Sequence, residues 1–381
     1  MTQDASRIWL SPPHMGGEEF EFVRSAFETN WLSTVGPNID AFEREMGERL
    51  GRHCVALASG TSAIHLGLRW LGVGPDDEVL CPSLTFVASS NPILYLGAKP
   101  VLIDSERESW NLDPARLEEA IEARTRDVGQ PPKALVVVHL YGQTANMDAI
   151  RRICSAHGVA VFEDAAEALG ATYGATPAGA LAPVGALSFN GNKIITTSGG
   201  GMLITDSADC AQKARFWSTQ ARDPGVAYEH TEMGYNYRMS NVLAGMGRGQ
   251  LTVLDARVER RRAIFERYVS GLEALDGLIP MPEAPWGRHT RWLSTFTVDE
   301  ECLGVSRDDL IQGLAEANIE SRPVWKPMHL QPLYADAPVF GGDVASDLFR
   351  RGICLPSGSS LSESDLDRIL AVLHETVGAA A

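Results

Sequence analysis

The chain lacks a CxxC pair and the paired Cys/His spacing of a zinc site, and it has no apolar run long enough to span a bilayer. Zinc-ribbon, disulfide-scaffold and helical-membrane designs are thereby excluded. Its six cysteines, Cys54, Cys81, Cys154, Cys210, Cys302 and Cys354, are widely spaced, and Cys81 and Cys354 sit in apolar stretches. They are expected to be free, buried thiols in a reducing compartment. Positive charge is also scarce: 33 Lys and Arg face 49 Asp and Glu, for a net charge of −16. General nucleic-acid binding needs a basic footprint that this balance does not supply. An anionic small ligand stays possible, because a pocket can be locally positive on an acidic protein. The stretch from Met1 to Arg7 is polar, without the apolar segment of a secretory leader, and no repeat or low-complexity tract interrupts the chain. A cytoplasmic protein with no membrane and no nucleic-acid partner is expected.

What is present is a chain of 381 residues, 44% hydrophobic and 22% charged, long enough for two or three domains and a sizeable core. After amphipathic helices at Glu18–Thr29 and Ile39–Leu50, the pattern alternates. Strands are expected at Cys54–Ala58, Glu78–Cys81, Pro100–Ile103, Ala134–His139 and Val159–Glu163, and helices at Thr61–Leu71, Phe86–Leu96, Pro114–Ala123 and Met147–His157. Two more strands, Ala186–Asn190 and Gly201–Thr205, bring the number to seven. Such alternation builds right-handed βαβ units, hence a mostly parallel α/β sheet between two helical layers. From Met239 to about Leu275 the periodicity is helical, with a change of direction. It leads into a smaller α/β unit with a strand at Arg291–Val298 and helices at Arg307–Ala317 and Glu363–Val377. The division is placed at 1–250 and 251–381.

Chemistry collects at the expected strand ends. Lys193 follows Ser188-Phe189-Asn190-Gly191-Asn192 and precedes Thr196-Thr197-Ser198-Gly199-Gly200-Gly201. A lysine among small residues and hydroxyls just past a strand is poorly placed for solvation and well placed to hold a carbonyl compound as an imine. Asp164 ends the apolar run Val161-Phe162-Glu163, where a carboxylate is expensive unless paired. An amine for an aldehyde and an anion for a ring nitrogen are what pyridoxal 5'-phosphate (PLP) requires. Glu167, one helical turn on, is within reach of the ring hydroxyl. Gly60, Thr61 and Ser62 open a helix after a strand and offer N–H groups and hydroxyls to a phosphate, although Ser or Thr there also serves as a plain cap. Ser188 is a further phosphate candidate, and Phe86 can stack on a planar ring or fill the core. A lone lysine is ordinarily a surface side chain. Here it shares its strand-end setting with Asp164, Ser188 and the Gly60 turn, where open α/β sheets bind ligands.

Six motifs then carry a resemblance: Ser59-Gly60-Thr61-Ser62-Ala63, Pro82-Ser83-Leu84-Thr85-Phe86, His139-Leu140-Tyr141-Gly142, Glu163-Asp164-Ala165-Ala166-Glu167, Ser188-Phe189 with Asn192-Lys193, and Gly234-Tyr235-Asn236-Tyr237-Arg238-Met239. Nearly end to end, the chain resembles the DegT-type sugar aminotransferases, fold type I PLP enzymes that act on nucleotide-linked keto sugars. The resemblance implies Lys193 as the imine lysine and Asp164 as the partner of the pyridine nitrogen. It puts Glu167, where many relatives have Gln, near the ring hydroxyl and Phe86 on the ring. It assigns Thr61, Ser62 and Ser188 to the phosphate, joined by Asn236 from the neighbouring subunit of a homodimer. Many relatives carry Thr-Gly-Glu-Gly-Gly after the lysine, whereas Thr197-Ser198-Gly199-Gly200-Gly201 stands here, so any role of that Glu is lost. This variant, with Ser11-Pro12-Pro13-His14-Met15-Gly16-Gly17 and Ser321 to His329, resembles the subgroup aminating UDP-4-keto-6-deoxy-N-acetylglucosamine with L-glutamate as donor. A branch with His in place of the lysine removes a hydroxyl instead, and Lys193 argues against it. Another nucleotide keto sugar, 3-keto or GDP- or dTDP-linked, and a non-catalytic regulatory protein are the alternatives. On the substrate side, Trp31, Lys326 and His329 suit sugar faces and phosphate oxygens. Arg238 is a candidate for ordering the interface loop, and His139, Tyr228 and His230 are further residues that could approach from loops.

Overall fold

The computed structural model of the protein describes residues 6–379; the first five positions of the polar N-terminal stretch lie outside the described residues. Seven short apolar runs pair into one sheet: β1 (His53–Leu57), β2 (Glu78–Pro82), β3 (Lys99–Ile103), β4 (Ala134–Val138), β5 (Ala160–Asp164), β6 (Val184–Ser188) and β7 (Gly201–Thr205). Their order is β1-β7-β6-β5-β4-β2-β3. Only β7 runs antiparallel to its neighbours. All five residues of β4 are buried, as a strand covered on both faces requires.

A second, antiparallel sheet forms from β8 (Leu278–Pro280), β9 (Ser294–Val298), β10 (Arg322–Pro323) and β12 (Gly352–Leu355), in the order β8-β9-β12-β10. The intervening β11 (Val339–Phe340) leaves that unit and pairs parallel with β3. The large sheet therefore has eight strands, not the expected seven. The eighth is two residues long and follows no local alternation, so pairing at the sheet edge alone defines it.

Helix Pro37–Leu50 begins with Pro37 at its first position and ends on Gly51 in the left-handed region, the usual Pro-in, Gly-out asymmetry. The expected helix at Phe86–Leu96 is broken into a 3-10 turn, Val87–Ser89, and a short helix, Asn91–Tyr95. Pro92 cannot donate the N–H that an uninterrupted helix would need. The long helical region splits into Asn241–Leu251 and Leu254–Gly271. Leu254 and Val258 of the second helix pack with the large-sheet core, and Ile264, Phe265 and Tyr268 pack with the core of the second sheet. That helix, which falls wholly within 251–381, thus packs in both cores.

Helix Gly60–Trp70 lies against β5, β6 and β7. Gly67 is the point of closest approach: a Cβ there would sit 2.1 Å from Cε2 of the fully buried Phe162 ring. Gly67→Ala would gain roughly 1 kcal/mol of helix propensity, but overpacking a filled core typically costs about 1–3 kcal/mol. We expect the overlap to win and the melting temperature to fall. An unchanged or higher value in calorimetry would show that Phe162 can give way.

Candidate active site

The C-terminal ends of the parallel strands open on a cavity of about 390 Å³. Lys193, Asp164, Glu167, Gly60, Thr61, Ser188 and Phe86 all line it. Residues more than a hundred positions apart meet there because β1, β5 and β6 end on the same side of the sheet.

At the first of these ends, Ser59 caps helix Gly60–Trp70, its Oγ accepting from the N–H of Ser62 at 3.1 Å. The first intrahelical bond is Ala63 N–H to the Ser59 carbonyl. The N–H groups of Gly60 and Thr61 precede it at the positive end of the helix, and both residues line the cavity. Ser62 does not line the cavity; its hydroxyl donates to the Ser59 carbonyl at 2.7 Å and accepts from the Ser59 N–H at 3.0 Å, which completes the capping box. Ser59 takes its place in the wall. A Cβ at position 60 would lie 3.0 Å from Cβ of Ser188, so glycine lets the helix start approach β6 closely.

At the end of β5, neighbouring carboxylates point to opposite sides. Glu163 is fully buried away from the cavity. Its Oε1 meets Gly179 N–H at 2.5 Å and His139 Nε2 at 3.0 Å, and its Oε2 accepts from Leu181 and Ala182 N–H at 2.7 and 3.0 Å. Ala145 N–H donates to Nδ1 of His139, so Nε2 carries the proton toward Glu163. His139 is thus a buried brace, not a loop residue approaching the site. Asp164 turns into the cavity. Ser89 Oγ donates to its Oδ2 at 2.7 Å and Ala166 N–H to its Oδ1 at 3.1 Å. Burial raises its pKa, and the Ser89 bond opposes that rise in part.

Glu167 accepts from Tyr141 N–H at 2.8 Å and from the Trp325 indole N–H at 3.2 Å. Burial raises its pKa too, against the pull of Lys193. Tyr141 holds a left-handed backbone, φ 53°, which is uncommon for a bulky residue, and there it delivers its N–H to Glu167 while its hydroxyl accepts from Trp325 N–H at 2.8 Å. Lys193 lies in the loop after β6, its Nζ 4.1 Å from the centre of the Trp292 ring. Desolvation lowers its pKa, with Glu167 and Asp164 pulling the other way. Burial thus pushes acids and base toward their neutral forms, the pattern expected of a reactive site.

Three of the lining residues, Ser89, Trp292 and Trp325, were not among the candidates drawn from sequence. Trp325 packs tilted on Phe86 with ring centres 5.2 Å apart, and Phe86 is 46% exposed at the cavity. No local pattern marks these residues, although Trp325 falls inside the Ser321 to His329 motif. Other candidates lie elsewhere in the chain. Lys326 is exposed and outside the wall. His329 is held at both ring nitrogens, by Ser83 Oγ at 2.5 Å and Ser346 Oγ at 3.0 Å, so it braces the 328–330 turn and does not reach the cavity. Tyr228 and His230 are exposed outside it. Arg238 is tied to Glu43 and to the Ala56 carbonyl. Asn236 is exposed and pairs with Thr219 in an isolated antiparallel bridge. Thr219 also lines a separate surface cavity with Trp31, Val35 and Arg238, and neither Trp31 nor Asn236 lines the cavity of Lys193.

A mixed, mainly parallel α/β sheet with a lysine and an aspartate at its strand ends defines the fold type I PLP aminotransferase class. The DegT/DnrJ/EryC1/StrS aminotransferase family matches residues 13–374, and the chain belongs to that family. It is 52% identical over 372 residues to EpsN of Bacillus subtilis (strain 168), named as a pyridoxal phosphate-dependent aminotransferase, covering 96% of this chain and 95% of that one. It is 40% identical over 376 residues to the GDP-perosamine synthase of Caulobacter vibrioides, covering 98% and 99%. Among solved structures, the aminotransferase TlmJ from Streptoalloteichus hindustanus superposes with a TM-score of 0.89 at 30% identity, covering 98% of this chain and 99% of that one. The protein is a PLP-dependent sugar aminotransferase. No helix among the described residues is long and apolar enough to cross a membrane, and no cluster among them is suited to a metal ion.

Proposed function

We propose that the protein transfers the amino group of L-glutamate to the C4 ketone of a UDP-linked 4-keto-6-deoxy-N-acetylhexosamine. The observation that carries the site assignment is the opening of Lys193, Asp164, Glu167 and the Gly60–Thr61 helix start onto one cavity. These residues fit the cofactor. Asp164 is a buried carboxylate without a cation of its own within ion-pair distance among the described residues, which a protonated ring nitrogen would satisfy. The helix N-terminus beside Ser188 suits a phosphate. Phe86 would cover the ring and Glu167 would meet its hydroxyl. When bound, PLP supplies an electron sink for the carbanion left when a C–H bond beside nitrogen breaks. Lys193 would hold the cofactor and, once displaced by the donor amine, move the proton between carbon atoms, a task eased by its depressed pKa. Trp325 and Trp292 would exclude water on two sides.

The identity to a GDP-perosamine synthase favours a second acceptor, a GDP-linked keto sugar. Holoenzyme with L-glutamate and each nucleotide keto sugar in turn, followed by release of 2-oxoglutarate and by mass spectrometry of the sugar, separates the two. Turnover confined to the GDP series would replace the first reading, and absence of any amino sugar would remove both.

A homodimer with shared sites is part of the proposal. Asn236 and Trp31 are both exposed and outside the cavity of their own chain, where they can serve a neighbour's site. Mixing inactive Lys193→Ala and Asn236→Ala chains should restore part of the activity, because one of the two sites in each heterodimer is then intact. No recovery in verified heterodimers would make each site self-contained. A cytoplasmic location fits the free cysteines, five of them buried.

A further inference from the structure

Arg261 is 1% exposed, and it forms no ion pair among the described residues. Its Nη1 donates to the carbonyls of Trp292 at 2.5 Å and Ser357 at 3.0 Å, and its Nη2 donates to Ser11 Oγ at 3.0 Å. Its Nε has no partner. A guanidinium buried without a counter-ion is expensive, and burial, with Arg257 adding to it, lowers its pKa to about 9. An apolar side chain would suit the volume better, so the charge needs a reason beyond packing.

The hydrogen bonds supply one. The Ser11 hydroxyl, having accepted from Arg261, donates to the Asn192 carbonyl at 2.7 Å. The Trp292 indole N–H donates to the same carbonyl at 2.8 Å, while the face of its ring meets Nζ of Lys193. That carbonyl belongs to the peptide unit attached directly to Cα of Lys193. Arg261 therefore organises both donors on that unit and the ring against the amine, from a helix that packs in both cores.

We propose that Arg261 is a positioning residue for Lys193, acting through Ser11 and Trp292 on the Asn192 carbonyl. The inference rests on the assignment of Lys193 made above. Misplacing a reacting group by about 1 Å costs on the order of 100-fold, so Arg261→Met should lower kcat by about that factor with little change in the KM for glutamate. Arg261→Lys, which keeps a donor, should recover part of the loss. Ser11→Ala, which leaves the guanidinium in place, should lower kcat by roughly 10-fold, and the double variant should fall no further than Arg261→Met, because both changes cut one relay. In apoprotein, peptide mapping of amine labelling by acetic anhydride should show an altered Lys193 rate in Arg261→Met and Ser11→Ala, with other lysines unchanged. If Arg261→Met does not fold, Ser11→Ala and its labelling rate decide the matter alone. Wild-type kcat and Lys193 labelling in Ser11→Ala, or a strictly additive double variant, would overturn the proposal. Turnover surviving in Lys193→Ala would instead overturn the assignment of Lys193 on which it rests.

Discussion

Lys193→Ala is expected to lose turnover by about 10,000-fold or more, the upper end of what one proton-transferring side chain contributes. The loss has two sources. The amine that would hold the cofactor is gone, and so is the base placed over the Trp292 ring. Neither Glu167 nor Asp164 can replace it. Both are fixed by hydrogen bonds, Glu167 to Tyr141 and Trp325 and Asp164 to Ser89 and Ala166. Borohydride reduction of the wild-type holoenzyme, followed by peptide mapping, should place the pyridoxyl adduct on Lys193. An adduct on any other side chain, or near-normal turnover in the variant, would contradict the assignment.

Asp164→Asn should separate activity from stability. Activity should fall on the order of 100- to 1,000-fold, comparable to deleting one preorganised electrostatic contact in other enzymes, because the amide carries no charge to keep a ring nitrogen protonated. The apoprotein should behave in the opposite way. The folded-state pKa of Asp164 is raised by burial, so above the ordinary carboxylate range the folded state binds more protons than the unfolded one. Stability from this group is therefore full below the unfolded pKa, near 4, and is lost as pH rises through the raised value. The Asn apoprotein should be more stable than wild type at neutral pH, and the gap should close on acidification. Ser89 can accommodate the change by turning its hydroxyl toward Thr85 Oγ1, 2.8 Å away. Thermal unfolding of both apoproteins from pH 4 to 8 is the check; a destabilised Asn variant at neutral pH would show that the carboxylate is already compensated without cofactor.

The seven strands of the large sheet were legible because each is a short apolar run bounded by polar or turn residues, and a buried parallel sheet leaves that trace. The lysine and aspartate were legible because each breaks the chemistry of an apolar strand at its end. What escaped depends on distant pairing. β11 adds to β3 across more than two hundred residues. The expected strand at Arg291–Val298 begins only at Ser294, since Arg291 has φ 54°. Helix Asp343–Arg351 and β12 went unseen. In the site, Ser62 reads as a ligand donor by position, yet the same position makes it the N3 partner of the Ser59 cap. Trp292 and Trp325 enter the wall from the C-terminal third of the chain, and nothing near either residue in sequence announces that destination.

The opposed orientation of Glu163 and Asp164 makes strand registry a chemical variable. Shifting Ala160–Asp164 by one residue would exchange their faces, setting a longer acid toward the coenzyme and a shorter one among the amides of residues 179–182. Core residues that hold the strand in step, Phe162 against Gly67 foremost, are thereby tied to holoenzyme assembly. Damage to them should surface as weaker coenzyme retention before the fold itself gives way.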